Sequence, residues 1–323
     1  MCTAVSYNST NHYFGRNLDL EYSYNEGVTV TGRRFPFAFR KKDIINEHYA
    51  MIGMACIADN YPLYFDATNE HGLSMAGLNF PGNAVYLPED RTKDNITPFE
   101  FIQWILCQCK TVTQARQYIN KINLLNESFN DAYPLTPLHW MITDKKESIV
   151  VEPTKNGIEI YDNPVGVLTN NPPFPFHIYN LSNYLNLTNK EPVNRFTNQF
   201  DIAPYSRGMG AIGLPGDLSS ASRFIKAAFT KLNSVSDGSV PGDISQFFHI
   251  LGSVEQQQGC VKVNGKFEKT IYSSCCDADN CIYYYTTYEN SQITAIHLMH
   301  EELNSMRTFY YPLTKKQQIK YEN

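Results

Sequence analysis

The sequence lacks the features of secreted, membrane-spanning and nucleic-acid-binding proteins. It has no basic start followed by an apolar run, as in a secretory signal, and no stretch that approaches the length of a membrane span. The net charge is −5, and the lysines and arginines are scattered rather than gathered on one segment. We therefore expect a cytoplasmic protein that neither inserts into membranes nor binds nucleic acid.

The eight cysteines do not have the spacing of a disulfide scaffold or of a zinc site. Disulfide frameworks are typical of short secreted chains, whereas this chain has 323 residues. Neither Cys107-Gln108-Cys109 nor the group formed by Cys275, Cys276 and Cys281 has the paired C-x₂-C spacing of zinc ligands. We expect reduced thiols, no metal and no cofactor.

Several common catalytic and phosphate-binding motifs are also missing. The sequence contains no G-x-S-x-G, no H-E-x-x-H and no G-x-x-x-x-G-K-[ST]. Residues 208–213 match G-x-G-x-x-G, but an irregular, proline-containing segment precedes them where a strand would be needed, so we interpret them as a glycine-rich turn. His12, His71 and His139 have no cysteine context of the papain or caspase type, which favours structural roles.

The composition that remains is that of a globular protein with a large core. Hydrophobic residues make up 42% and charged residues 18% of the chain, and 22 tyrosines and 19 phenylalanines favour a β-rich core or an apolar pocket. No Pro/Gly/Ser linker or charge block divides the sequence, so we predict a single domain over residues 1–323.

Strand and helix patterns come in separate blocks. Strand patterns occupy residues 2–7, 12–20, 28–33, 50–58, 63–67, 72–80, 138–143, 148–152, 157–161, 165–169, 270–276, 281–287, 292–298 and 307–311. Helices are predicted after Thr97 and Thr111 and near 176–187, 219–234 and 244–257. The irregular segment 171–216 is long enough to be a lid or a subunit contact. Blocks of this kind indicate an α+β fold rather than a doubly wound sheet.

Cys2 is a candidate nucleophile because of its position. If Met1 is removed, one residue carries both a thiol and a free α-amine. In model peptides the amine has a pKa of about 7.7–8.0 and a thiol about 8.5, so the amine can accept the thiol proton without a histidine. Many chains have a small residue after Met1, so position alone fits an ordinary second residue at least as well.

Four further residues could support such a nucleophile. Arg16 and Asp19 are three apart in a predicted strand and point to opposite faces unless the chain bends after Asn17. With that bend, the carboxylate would hold the amine and the arginine would favour the thiolate. Asn79 and Asn170 end strand-like runs, where donors to an oxyanion often lie. Surface charges and turn-forming asparagines fit the same spacing.

Seven segments occur in a fixed order along the chain. The segments are Met1-Cys2-Thr3-Ala4, Phe14-Gly15-Arg16-Asn17-Leu18-Asp19, Ala76-Gly77-Leu78-Asn79-Phe80-Pro81, Leu138-His139-Trp140, Gly166-Val167-Leu168-Thr169-Asn170-Asn171-Pro172, Gly213-Leu214-Pro215-Gly216-Asp217 and Ser222-Arg223-Phe224. Together they resemble the choloylglycine hydrolase family, and within it the bile salt hydrolases of Gram-positive gut bacteria. The resemblance extends over essentially the whole chain, as far as residues 282–290.

The resemblance implies a four-layer αββα sandwich of the N-terminal-nucleophile hydrolases, assembled as a homotetramer. It implies that Cys2 is the nucleophile, with its own α-amine as base, and that Arg16 and Asp19 position and tune it. Asn170 would donate to the oxyanion from its side chain and Asn79 from its backbone N–H. Arg223 would support the site electrostatically. The catalytic set implied is Cys2, Arg16, Asp19, Asn79, Asn170 and Arg223.

The implied substrates are bile acids conjugated to glycine or taurine. By resemblance, the residues that line the steroid pocket are Leu18, Tyr24, Phe65, Phe129 and Tyr133, and Arg207 would meet the carboxylate of a glycine conjugate. Related penicillin V acylases often carry Tyr at the position of Asn79, so Asn79 favours the interpretation of the chain as a bile salt hydrolase. Penicillin V acylase or a related N-acyl amidase is the alternative, and a non-catalytic binder of bile acids or lipids is a further one.

Overall fold

The computed structural model describes residues 1–323 and contains five α-helices and seventeen strands. The helices are α1 Phe101–Gln108, α2 Val112–Ile119, α3 Phe174–Asn180, α4 Ser220–Leu232 and α5 Val240–Gly252. The strands are β1 Cys2–Asn8, β2 His12–Leu20, β3 Gly27–Thr31, β4 Met51–Ala58, β5 Tyr61–Asn69, β6 Ser74–Asn79, β7 Asp94–Ile96, β8 Ile122–Leu124, β9 Leu138–Thr143, β10 Ser148–Thr154, β11 Gly157–Asp162, β12 Val167–Leu168, β13 Val261–Val263, β14 Lys266–Asp277, β15 Ile282–Thr287, β16 Asn290–His297 and β17 Thr308–Pro312.

Two large antiparallel sheets are stacked on each other. The first sheet has the order β12-β1-β2-β14-β15-β16, with β13 paired to β14, and the second has the order β11-β10-β9-β6-β5-β4-β3-β17. The strands β7 and β8 form a separate parallel pair. Because neighbouring strands of both sheets are antiparallel, no β-α-β crossover is needed between them.

Helices cover the outer face of each sheet and complete four layers. The helix α1 packs on the second sheet, where the ring of Phe101 meets that of Trp140 at 4.8 Å. On the other side, α4 and α5 pack on the first sheet, and the side-chain amide of Asn17 in β2 donates to the carbonyl of Leu251 at 3.0 Å. The predicted α+β fold with αββα layers is confirmed.

The helix starts follow local capping chemistry. Thr97 and Glu100 form a capping box at a 3₁₀ turn, Pro98–Glu100, which leads into α1 as predicted. The predicted start of α5 near residue 244 is wrong by one turn. The hydroxyl of Ser239 accepts the N–H of Gly242 at 3.1 Å, and Pro241 fits the first turn, so the helix begins at Val240.

Other differences from the predicted elements involve short pieces. The helix predicted over 176–187 is split into α3 and a 3₁₀ turn at Leu181–Tyr184. The strands β7, β8 and β13 have three residues each, too few to show an alternating pattern, and were not predicted. Residues 208–213 form a turn around a 3₁₀ helix at Met209–Ala211, as interpreted from the sequence. No helix combines the length and the apolarity that crossing a membrane requires.

The β1–β2 hairpin places the first residues of the chain inside the first sheet. The strands predicted over residues 2–7 and 12–20 are confirmed and pair as a hairpin, with Cys2 opposite Leu18 and Ala4 opposite Arg16. At Gly15 the neighbouring strand β14 passes so close that a Cβ atom would lie 1.9 Å from the carbonyl oxygen of Ser274. A side chain at residue 15 would therefore force β2 and β14 apart.

Candidate active site

Cys2 is buried at the start of β1 and borders a cavity of about 270 Å³. Its backbone N–H donates to Oδ1 of Asn170 at 2.8 Å, and its carbonyl accepts from Nη1 of Arg223 at 2.5 Å. Both backbone groups of Cys2 are thus held by charged or amide side chains from distant parts of the chain. Its position relative to the cavity wall is fixed by these contacts.

Arg16 lies on the cavity face of β2 and reaches the second sheet. Its Nη1 donates to the carbonyls of Phe65 at 3.1 Å and Gly77 at 2.5 Å, while Nη2 has no partner. Burial opposes the charge, but Cys2, Tyr272 and Asp66 outweigh it and raise the pKa of the guanidinium. Arg16 therefore stays charged beside the thiol, with donor capacity to spare.

Asp19 lies on the opposite face of β2, toward α4. The strand runs without a break from His12 to Leu20, so the bend considered after Asn17 is absent. Oδ1 of Asp19 accepts the hydroxyl of Thr270 at 2.7 Å, and Oδ2 has no hydrogen-bond partner. Burial raises the pKa of Asp19, and the charge of Arg223 works against that rise. Arg16 and Asp19 flank the start of β1 from opposite faces of one strand.

Arg223 links α4 to the start of β1. The residue stands one turn after the N-cap Ser219, and its guanidinium is 1% exposed. Besides the Cys2 carbonyl, it donates to Oγ1 of Thr3 at 2.6 Å and to Oδ1 of Asn170 at 2.8 Å. Its Nη1 lies 4.0 Å from Oδ2 of Asp19. Arg223 therefore connects the nucleophile candidate with both a carboxylate and an amide.

Asn170 and Asn79 meet at the same end of the cavity. The Nδ2 group of Asn170 donates to the carbonyl of Asn79 at 2.7 Å, and Asn79 is the last residue of β6 and borders the cavity with Cys2. An amide nitrogen carries two hydrogens, so Asn170 keeps one N–H for another acceptor. The structure brings together the six residues named for catalysis in the sequence.

Further residues fix Asn170 and were not singled out for catalysis from the sequence. The hydroxyl of Ser220 accepts the backbone N–H of Asn170 at 2.8 Å, and Nε2 of His177 donates to its carbonyl at 3.0 Å. His139 binds Glu152 at 3.0 Å and the carbonyl of Thr169 at 2.8 Å, a structural role as predicted. Ser220 stands just after a helix N-cap, so its sequence position suggests capping rather than support of a distant loop.

The cavity is lined mainly by apolar side chains. Sixteen of its 23 lining residues are hydrophobic, which suits a large apolar group more than a polar one. The five pocket residues named from the sequence line it: Leu18, Tyr24, Phe65, Phe129 and Tyr133. Arg207 does not. It is exposed in the irregular segment between α3 and α4, and the structure does not bring it to the cavity.

One arginine outside the predicted set anchors the loop that covers the cavity. The guanidinium of Arg40 lies over the ring of Phe99 at 5.1 Å and over that of Phe129 at 5.8 Å, and it donates to the carbonyl of Phe129. Phe129 in turn packs against Tyr133 at 6.1 Å. No sequence spacing links residue 40 to residue 129, so the contact could not be predicted.

The amino terminus itself is bound. The Met1 amine donates to the carbonyl of Asp19 at 2.7 Å and to Oε1 of Glu268 at 2.5 Å. With Met1 attached, the nitrogen of Cys2 is an amide with no basic lone pair. Base catalysis by that nitrogen therefore requires that Met1 be removed.

Sequence comparisons point in one direction. The family model for linear amide C–N hydrolases of the choloylglycine hydrolase family matches residues 2–311. The chain is 56% identical to a bile salt hydrolase/transferase of Lactiplantibacillus plantarum, over 98% of each chain. It is 39% identical to a bile salt hydrolase/transferase of Clostridium perfringens, over 97% of this chain and 98% of that one.

Structural comparisons agree. The fold is similar to the crystal structure of the mutant C2A conjugated bile acid hydrolase from Clostridium perfringens, with a TM-score of 0.93 and 36% identity over 100% of both chains. It also resembles a penicillin V acylase from Agrobacterium tumefaciens, with a TM-score of 0.73 over 94% of this chain and 88% of that one. The latter match is 16% identical and concerns the fold alone.

Proposed function

The chain belongs to the choloylglycine hydrolase family of linear amide C–N hydrolases, and from that membership we propose that it cleaves the amide bond between a bile acid and glycine or taurine. The observation that carries the proposal is the position of Cys2. It is the first residue of an interior strand, it is held by Asn170 and Arg223, and it borders an apolar cavity. The catalytic unit proposed is a single domain over residues 1–323 from which Met1 has been removed.

The first half of the reaction forms a thioester. The free α-amine takes the proton of the Cys2 thiol, and the sulfur attacks the amide carbonyl carbon. Negative charge develops on the carbonyl oxygen. This oxygen accepts hydrogen bonds from the remaining Nδ2–H of Asn170 and from the backbone N–H of Asn79. When the C–N bond breaks, the α-ammonium gives its proton to the departing glycine or taurine nitrogen.

The second half releases the bile acid. The α-amine, neutral again, takes a proton from water, and the hydroxide attacks the thioester carbonyl carbon through the same oxyanion contacts. The C–S bond then breaks, the sulfur recovers a proton from the ammonium, and the free acid leaves. In this scheme Arg16 stabilises negative charge on the sulfur, and Asp19 binds the ammonium. Arg223 holds Asn170 and Cys2 in position relative to each other.

The cavity supports a steroid as the acyl part of the substrate. Leu18 and Phe65 lie on the sheet side of the cavity, and Phe129 and Tyr133 come from the loop before β9. Relatives that are 56% and 39% identical over nearly the whole chain are named for bile salts, whereas the penicillin V acylase shares only the fold. Asn rather than Tyr at residue 79 also favours bile salts over penicillin V.

The test compares three substrates on one enzyme. We expect kcat/KM for glycocholate and taurocholate to exceed that for penicillin V by at least about tenfold, and Cys2→Ser to lose activity on all three. Mass spectrometry of the purified protein should show that Met1 is absent. Undiminished release of glycine by Cys2→Ser, or full activity of a chain that retains Met1, would end the proposal. Bile-acid binding without turnover by wild type would favour a binding protein instead.

A second proposed activity is acyl transfer. Relatives of Lactiplantibacillus plantarum and Clostridium perfringens carry the name bile salt hydrolase/transferase. The thioester can be attacked by a neutral amine instead of water, which forms a new amide and frees Cys2. Incubation of cholate conjugates with an excess of another amino acid, followed by mass spectrometry, should reveal the new conjugate. Its absence at every pH at which hydrolysis occurs would restrict the enzyme to hydrolysis.

We also propose a homotetramer in the cytoplasm. The eight cysteines are unpaired in the structure, which suits a reducing compartment. Nine large apolar side chains between residues 176 and 212 are exposed, which supports self-association, and light scattering together with cell fractionation tests both points. They are Phe176, Tyr179, Leu185, Val193, Phe196, Phe200, Ile202, Tyr205 and Ile212.

A further inference from the structure

Glu268 is a buried carboxylate next to the amino terminus. It lies on β14, its side chain is 4% exposed, and its Oε1 is 2.5 Å from the amine of Met1. The next residue, Lys269, pairs with Glu289 at 2.5 Å and is not available to Glu268. The ammonium of Met1 is therefore the cation that compensates this carboxylate before processing.

Removal of Met1 leaves Glu268 close to the new amino terminus. Consecutive backbone nitrogens are separated by no more than about 3.7 Å, so Oε1 of Glu268 lies within about 6 Å of the Cys2 nitrogen. An unpaired carboxylate in a buried position is costly, and a cation within this range relieves the cost. The Cys2 ammonium is created at that place by the same cleavage that removes the earlier partner.

We propose that Glu268 is the counter-ion of the mature amino terminus, a positioning residue that binds the α-ammonium of Cys2 in the place of Met1. The inference rests on the amine–thiol mechanism proposed above and adds a residue to it. Glu268 does not line the cavity that Cys2 borders. It acts through the amine, whose orientation beside the thiol it helps to set.

The other charged groups near Glu268 do not supply it with a cation of its own. Asp19 on β2 and Glu21 just after its end face Glu268 with like charge. Burial, together with these two carboxylates, raises the pKa of Glu268. From α4, Arg223 supplies one positive charge, which Asp19 shares. The remaining groups nearby are Glu255, which follows α5 and accepts from Ser273 at 3.3 Å, and Arg16 on the cavity face.

The proposal has a chemical consequence for the base. A carboxylate within about 6 Å of an ammonium favours the charged form and raises the pKa of the amine. The amine must be neutral to take the thiol proton, so Glu268 moves the acid limb of the rate profile to higher pH. In return it keeps the ammonium in place for protonation of the leaving group. A residue with a merely structural role would lower the rate without moving that limb.

The experiment measures kcat/KM for glycocholate against pH in wild type, Glu268→Gln and Glu289→Gln. Glu289→Gln is the matched control, because it removes a carboxylate from the same region of the sheet but not from the amino terminus. We expect the acid limb of the kcat/KM profile to move to lower pH by roughly one unit in Glu268→Gln and to stay in place in the control. Mass spectrometry establishes that all three proteins have lost Met1.

An unchanged acid limb in folded, processed Glu268→Gln would overturn the inference, as would an equal shift in the control. Should Glu268→Gln not fold, the amine is titrated by NMR after labelling with [¹⁵N]cysteine in wild type and in Glu268→Asp, whose shorter side chain moves the carboxylate away from the amine while Asp19 stays in place. A lower pKa of the amine in Glu268→Asp supports the inference, and an unchanged pKa contradicts it. Activity of Cys2→Ser would refute the mechanism itself, and neither outcome for Glu268 would mimic that result.

Discussion

The guanidinium of Arg223 donates a hydrogen bond of 2.8 Å to the side-chain oxygen of Asn170, and the same oxygen accepts the backbone N–H of Cys2 at 2.8 Å. Arg223 and Cys2, which are 221 positions apart, thus share one acceptor at the start of β1. These bonds orient the side-chain amide of Asn170. Its oxygen faces Cys2 and Arg223, and its nitrogen is left for the carbonyl of Asn79 and for the carbonyl oxygen of the substrate. Perturbing either residue should therefore affect catalysis through the other.

Asn170→Ala should lower kcat by about 10²–10³ and leave KM within a few fold, because it removes the proposed side-chain donor to the oxyanion. Steady-state kinetics with glycocholate measures both constants. Asn183→Ala, a surface asparagine on the 3₁₀ turn after α3, is the control and should match wild type. A rise in KM with unchanged kcat would assign Asn170 to substrate binding instead.

Arg223→Met should destabilise the fold as well as the site. It removes the cation closest to the buried Asp19 and the donors to Cys2, Thr3 and Asn170. Breaking a buried pair by deleting one partner typically costs about 3–5 kcal/mol, which urea unfolding can measure. Lys226→Met, three residues along the same helix, should lose far less. Equal stability of the two variants would contradict a structural role for the Arg223 charge.

Arg40→Ala should weaken substrate binding more than turnover. The loss of two cation–π contacts and of the hydrogen bond to Phe129 frees the loop over the cavity. With about 0.5–1 kcal/mol for each of the two exposed cation–π contacts, KM for glycocholate should rise by about five- to thirtyfold while kcat changes little. Arg34→Ala, also exposed, serves as the control. A fall in kcat at constant KM would show that Arg40 acts elsewhere.

His12 should make stability depend on pH. Burial lowers its pKa from 6.5 to about 4, although Asp279 and Asp144 oppose the shift. Between these values the unfolded chain binds a proton that the folded chain does not, so stability falls as the pH drops from about 6.5 to about 4. The shift corresponds to roughly 3 kcal/mol. Urea unfolding at pH 7 and pH 5 should show a smaller difference for His12→Asn than for wild type; an equal difference would exclude His12 as the cause.

The local pattern of the sequence predicted those parts of the structure that depend on neighbours along the chain. The strand-like composition of residues 2–7 and 12–20 predicted β1 and β2, and Thr97 predicted the helix start that leads into α1. The α5 start was missed because the apolar pattern begins a turn after its Ser239 cap, and the cap alone is a weak signal.

The candidate site depends on contacts that no local pattern contains. Asn170 meets Cys2 across 168 positions and Arg223 meets Cys2 across 221 positions, so only the ordered family motifs connected them. Arg40 and Glu268 belong to no such motif and were found only in the structure. Arg207 was placed near the substrate by resemblance, but it lies in an exposed irregular segment whose position spacing does not determine.

The strand β1 has consequences for the order of events during synthesis. The β1–β2 hairpin is among the first parts of the chain to leave the ribosome, yet its outer neighbours β12 and β14, and the partners Arg223 and Glu268, are translated much later. Until then Glu268 cannot bind the amine of Met1. Once β14 pairs with β2, the amine of an unprocessed chain binds Glu268. The proposed removal of Met1 should therefore be fastest on the nascent chain, before β14 joins the first sheet.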